Sequence, residues 1–397
     1  MIFLEFMFDS FYNREYERDD RMKNKTVPIT LLTGYLGSGK TTLINHILTN
    51  QKKYKIAVIV NDIGEVNIDA SLIENGGVVS ERDESLVSLS NGCICCNLKM
   101  DLVKQITDII RQNKFDYIVI EASGICEPIP IAQTITMMPE MFQNYMEQDI
   151  CKLDAVVTVV DALRLRDEFH CGESLKKESI DDEDLEKLII EQLEFCNIIV
   201  LNKTDEISEE ELAEVRAVIR SIQPKAKIIE TNYAKVDIDD ILDTNLFDFE
   251  ESSMTAGWIE ALENPEELDE SGEELEYGIS TFVYKRREPF NRKLFCEFLD
   301  SKWDHSIIRS KGVIYFTDDM STAYMVESAG NSKDLVATGP WVSAMPEEDR
   351  EFILEHNPDI MKDWDDEYQD RMNKIVFIGK NMDKDAMIKK LDSFLDL

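Results

Sequence analysis

The sequence predicts an α/β protein with a mostly parallel sheet, followed by a smaller α+β domain. Three observations carry that expectation. Short apolar runs rich in Val and Ile alternate with helical stretches from Thr26 onward. A glycine-rich turn separates the first run from the first helix. An acid-rich stretch then breaks the pattern, and the strand spacing changes after it.

Residues 1–25 read as an N-terminal extension. Met1 to Met7 is apolar-rich, and Asp9, Glu15, Glu17, Asp19 and Asp20 follow. It has no basic start, continuous apolar core or small-residue cleavage site, so it does not read as a secretory signal. Residues 26–249 form the first domain. Its expected strands are Pro28–Thr33, Ile56–Val60, Tyr117–Ile120, Ala155–Val160, Ile198–Leu201 and Lys227–Glu230. They are continuous rather than alternating, which is how strands buried on both faces of a parallel sheet read. Helices are expected at Lys40–Thr49, Leu98–Gln112, Asp182–Glu194 and Glu209–Ser221, and the alternation implies a layered domain. Residues 250–276 carry eleven acidic side chains and no Lys or Arg, the composition of a solvated linker. Residues 277–397 form the second domain. Strands are expected at Gly278–Lys285, Gly312–Phe316, Ala323–Glu327 and Lys374–Ile378, with helices at Arg292–Ser301, Glu347–His356 and Lys384–Phe394.

Gly34-Tyr35-Leu36-Gly37-Ser38-Gly39-Lys40-Thr41 fits G-x-x-x-x-G-K-[ST], with a strand before it and a helix after it. That context confirms a phosphate-binding loop, so the first domain is expected to be a P-loop NTPase domain. Gly34, Gly37 and Gly39 let backbone N–H groups approach phosphates, and the helix N-terminus at Ser38 to Thr42 adds its dipole. Lys40 is expected to reach the β- and γ-phosphates, and Thr41 to ligate Mg²⁺. Asn202-Lys203-Thr204-Asp205 directly follows a sheet strand. A carboxylate there accepts from guanine N1 and the exocyclic amine, a pattern adenine does not offer, so the nucleotide is expected to be GTP. Glu121 at the tip of Tyr117–Ile120 is expected to orient Mg²⁺, and the Gly124 N–H to report the γ-phosphate. Lys40, Glu121 and Gly124 are the catalytic candidates.

Cys93, Cys95 and Cys96 fall within four positions, in Gly92-Cys93-Ile94-Cys95-Cys96. The cluster lacks a second cysteine pair, so other groups must complete a metal shell. Asp62 and Glu65, after the second strand, are the candidates. Thiolates with a carboxylate or water fit tetrahedral Zn²⁺, with Co²⁺ a poorer competitor. His46 reads as structural, His305 and His356 have no paired ligand nearby, and Cys126 reads as a packing residue.

Net charge is −37, from 80 acidic against 43 basic residues. Nucleic acid and anionic membranes both bind basic surfaces, so neither is expected as a partner. A cation is attracted by such a field. No apolar run approaches the roughly 18–20 residues of a membrane helix. Scattered cysteines beside a nucleotide motif suggest a reducing cytoplasm.

Taken together, these residues resemble the CobW family of metal-handling P-loop GTPases. The matching stretches are Gly37 to Leu43, Asn61 to Asp69, Asn91 to Cys96, Glu121 to Gly124, Asn202 to Asp205, Arg309 to Gly312 and Phe377 to Gly379. Among the family's branches the chain looks most like the zinc-responsive metallochaperones. The resemblance implies GTP hydrolysis coupled to loading a transition metal, usually zinc, and delivering it to a client metalloprotein. It implies a C-terminal domain serving client recognition or homo-oligomerisation. Asp62 stands where many members carry glutamate, and no histidine tract marks the domain junction. Two rival expectations remain. One is a maturation GTPase inserting cobalt or another metal. The other is a GTP-regulated zinc sensor.

Overall fold

The computed structural model describes residues 26–50, 54–61, 86–89, 98–124, 126–142, 150–169, 181–254, 256, 257, 259, 276–301, 303–330 and 332–396. They form two compact units. The first takes in the chain up to Leu163, with Glu191–Ser208 and Lys225–Met254; the second takes in Arg164–Ile190, Glu209–Pro224 and Thr255–Leu397.

The first half of the chain runs β1 (Val27–Thr33), α1 (Lys40–Thr49), β2 (Ile56–Asn61), β3 (Leu86–Leu89), α2 (Leu98–Gln112), β4 (Tyr117–Glu121), α3 (Pro128–Phe142), β5 (Cys151–Asp161), α4 (Ala162–Phe169), α5 (Asp181–Glu194), β6 (Ile198–Asn202), α6 (Glu209–Ile222), β7 (Lys227–Glu230) and α7 (Phe249–Met254). The seven strands form one sheet in the order β3-β2-β4-β1-β5-β6-β7, and every pairing is parallel. The apolar runs are continuous because β4 and β6 are buried along their whole length. Leu32, Val58, Val119, Val157 and Val200 pack there with Leu43, Ile44 and Ile47 of α1. From β1 the chain builds β2, β3 and β4 on one side, then β5, β6 and β7 on the other. That reversal opens a crevice at the carboxyl ends of the central strands.

The second unit holds β8 (Ile279–Arg286), α8 (Arg292–Ser301), β9 (Ile307–Phe316), β10 (Asp319–Ala329), β11 (Ser332–Pro340), α9 (Glu347–His356), β12 (Asn373–Lys380) and α10 (Lys384–Asp392). Its five strands are antiparallel in the order β11-β10-β9-β12-β8. The core is aromatic: Phe282 stacks on Phe377 at 5.0 Å, and Phe290 on Phe295 at 4.9 Å between ring centres.

Elements outside the expected set include β3, α3, α4, α7 and β11. Three expected strands start four or five residues early: β10 at Asp319 rather than Ala323, and two whose runs a charge interrupts. β5 begins at Cys151 rather than Ala155, and β9 at Ile307 rather than Gly312. In both, a buried charge interrupts the run: Asp154 is 0% and Arg309 1% exposed. Among the described residues no helix is long and apolar enough to cross a membrane.

Candidate functional site

The loop from Gly34 to Gly39 leaves β1 at the centre of the sheet and enters α1. Gly39 has φ 115°, and a Cβ there would lie 2.3 Å from Nδ2 of Asn202. Only glycine fits that position, for both backbone and space. Ser38 is buried, and its Oγ has no hydrogen-bond partner. A buried hydroxyl is costly when left unmet, so this one suits a polar ligand in the loop. The first turn of α1 holds no acidic residue, which leaves the positive end of its dipole undiluted for an anion. Lys40 is 7% exposed. Its Nζ folds over the loop and donates to the carbonyls of Gly34 at 2.6 Å and Tyr35 at 3.1 Å. Thr41 is half-buried and Thr42 exposed in the same turn, and Gly37 is at the exposed crest of the loop.

Glu121 ends β4, 2% exposed, in register with Leu32 of β1. The chain then turns so that Ala122 N donates to Leu32 O at 2.9 Å. A Cβ on Gly124 would lie 2.7 Å from the backbone N of Leu36. The turn after β4 therefore touches the phosphate loop backbone to backbone. The hydroxyl of Thr41 and the carboxylate of Glu121 are oxygen donors of the kind a hard cation takes, and they fit Mg²⁺.

The far side of the loop is tied to β6. Asn202, 3% exposed, donates from Nδ2 to Ser38 O at 2.9 Å and accepts at Oδ1 from Ala234 N at 2.9 Å. Lys203 is left-handed at φ 60°, and its ammonium pairs with the buried carboxylate of Asp161 at the end of β5. Asp205 is exposed on the following turn. Asn232, just past β7, accepts at Oδ1 from Thr204 Oγ1 and from Asp205 N, each at 3.0 Å.

The structure brings together Gly34, Gly37, Ser38, Gly39, Lys40, Thr41 and Thr42 on one loop and helix start. Gly124 and Asn202 reach that loop directly. Asp161, Asn232 and Ala234 were absent from the sequence expectation. The position of Asp161 at a strand's carboxyl end was a usable signal; Asn232 and Ala234 carried none. Cys93, Cys95, Cys96, Asp62 and Glu65 lie outside the described residues. Among the described residues no group of three or more His, Cys, Asp or Glu could hold a metal ion. The strands that lead into both segments are neighbours, with Asn61 of β2 in register with Leu89 of β3.

Residues 28–230 match the family described as "CobW/HypB/UreG, nucleotide-binding domain", and residues 279–395 match "Cobalamin synthesis protein cobW C-terminal domain". The chain is 37% identical over 379 residues to "Zinc-regulated GTPase metalloprotein activator 1" of Dictyostelium discoideum, covering 91% of this chain and 78% of that protein. It is 33% identical over 329 residues to the protein of the same name in Schizosaccharomyces pombe, covering 76% and 74%. It is 34% identical over 234 residues to "Zinc chaperone YjiA" of Escherichia coli K12, covering 58% and 65%.

Proposed function

Because the chain belongs to the CobW family, matched in both its nucleotide-binding and C-terminal domains, we propose that it hydrolyses GTP and uses that cycle to load zinc onto a client metalloprotein. The observation that carries the reading is Asn202, whose amide joins the base-reading turn to the phosphate loop through Ser38 O. One residue thus sets the distance between the site for the base and the site for the phosphates.

In this reading the Gly34–Gly39 loop cradles the phosphates, and Ser38 and Lys40 engage them. Thr41 and Glu121 hold Mg²⁺, which supplies neutralising charge to the phosphates when bound. Gly124 offers its N–H beside Leu36 and senses the γ-phosphate. Asp205 selects guanine, with Lys203 steadied by Asp161. Zinc is the cargo, held by Cys93, Cys95 and Cys96, with Asp62 and Glu65 as the nucleotide-sensitive completion. The names of the relatives support zinc and a metalloprotein client. Scattered cysteines beside a nucleotide motif support a reducing, cytoplasmic setting.

If the two ligands are coupled, linkage requires each to tighten the other by the same factor. A zinc competition titration with and without a non-hydrolysable GTP analogue tests this. The analogue is expected to tighten zinc binding at least about tenfold, the scale of an ordinary coupling free energy. Equal zinc affinities in the two states would remove the coupling.

A further inference from the structure

We infer that Gln192 is a positioning residue for hydrolysis, acting on the γ-phosphate through the turn that carries Gly124; the inference rests on the γ-phosphate role proposed above for Gly124. Gln192 lies in the last turn of α5 and is 1% exposed. A carboxamide is buried at a cost unless its polar atoms are met. Here Nε2 donates to Cys126 O at 3.2 Å. The backbone carbonyl of Gln192 is one of the four that a helix end leaves unmet. It accepts from Thr158 Oγ1 at 2.9 Å.

Thr158 carries the connection onward. Its Oγ1 lies 2.8 Å from Thr33 Oγ1, and the two residues are in register on β5 and β1. A hydroxyl has one proton to give. Thr158 gives its own to Gln192, so Thr33 is the donor to Thr158. Thr33 is 0% and Thr158 1% exposed, and both lie in the first unit with Gln192 and Cys126. Thr33 directly precedes Gly34, the first residue of the phosphate loop. Cys126 N donates to Ser123 O at 3.0 Å, across Gly124. One line of hydrogen bonds thus runs from the start of the phosphate loop, through α5, to the turn that carries Gly124. On its loop side that turn is limited by contact, because a Cβ on Gly124 would lie 2.7 Å from Leu36 N. Gln192 holds it on the other side. Misplacement of a positioning group by about 1 Å is enough to slow a reaction. GDP has no γ-phosphate, so loosening this turn costs GTP and hydrolysis rather than GDP. A glutamine that served packing alone would leave that discrimination untouched.

Gln192→Met keeps the length and unbranched shape of the side chain and removes the donor. The measurements, on the full chain, are kcat for GTP and the affinities for GDP and for a non-hydrolysable GTP analogue, by competition against a labelled nucleotide. Gln192→Met is expected to lower kcat and the analogue-to-GDP affinity ratio about fivefold each, the worth of one hydrogen bond. GDP affinity should stay within about twofold of wild type. Should Gln192→Met fail to fold, Thr158→Val breaks the same line one step earlier and is expected to shift kcat and the ratio in the same direction. A folded variant with kcat and ratio unchanged, or with equal losses for both nucleotides, would overturn the inference. Gly124→Ala with kcat and ratio unchanged would overturn instead the γ-phosphate reading beneath it.

Discussion

Asp154 sits in a mostly apolar strand and has no exposed surface. Its carboxylate accepts from Tyr117 Oη at 2.6 Å, Asn245 N at 2.7 Å and Thr244 N at 3.0 Å. Burial, followed by the Asp154 charge and its hydrogen bond, pushes the Tyr117 phenol far above its ordinary value. Asp154→Ala removes the partner of one buried and two part-buried donors at once and is expected to cost about 3 kcal/mol, measured by chemical denaturation. The same residue explains a limit of the sequence. An acid inside an apolar run reads as the end of a strand, and nothing local says that Tyr117, 37 positions away, will satisfy it. The site divides along this line. The phosphate loop and the Asn202-to-Asp205 run were legible because their chemistry is contiguous. Asn232 was not, because it serves a residue 27 positions distant.

Among the elements, α3 was hidden by its own punctuation. Pro128 and Pro130 lie in its first turn and Pro139 inside it. Early prolines are harmless there because those N–H groups have no helical partner. β11 carries few apolar residues and is half-buried or exposed along its whole length. The early start of β9 has an electrostatic cause. Glu327 of β10 meets Lys187 of α5 at 3.1 Å, Lys311 at 3.3 Å and Arg309 at 3.6 Å. Burial alone would raise the Glu327 carboxyl, but Lys311, Arg309 and Lys187 outweigh it and hold it below its ordinary 4.5. A depressed acid stabilises the fold above its unfolded value, and that contribution is lost as pH falls through the folded one. Glu327→Gln leaves three cations without their shared anion and is expected to cost about 2–3 kcal/mol at neutral pH. The gap from wild type should shrink as pH falls below about 4.5, a comparison read from denaturation curves at several pH values.

For the molecule as a whole, charge sets a property that no single element carries. A net charge of −37 is a self-repelling surface, and repulsion opposes compactness. Raising NaCl from about 0.02 to about 0.5 M shortens the screening length from roughly 20 Å to roughly 4 Å. The melting temperature should therefore rise with salt, and a fall would show that attractive surface pairs outweigh the repulsion. Acidification toward the pI of 4.4 relieves the same repulsion, and the Glu327 contribution is lost only with further acidification through its lowered folded value. The parallel sheet was legible from continuous apolar runs, which mean two covered faces, and a second, α+β domain from the change in strand spacing; the antiparallel order of that domain was not. The membership of α5 and α6 residues in the second unit was not, because the order of elements carries no record of which core they join.

The register of β2 with β3 has a consequence for transfer. Asn61 and Leu89 are partners on adjacent strands, so their chains leave the sheet about 4.8 Å apart. Asp62 is the next residue after one anchor, and Cys93 is four residues beyond the other. In the proposed metal site, tethers that short would hold the carboxylate and the thiolates at an effective concentration in the millimolar range. Under that proposal the sheet would act as a linker of fixed length between the two sets of ligands.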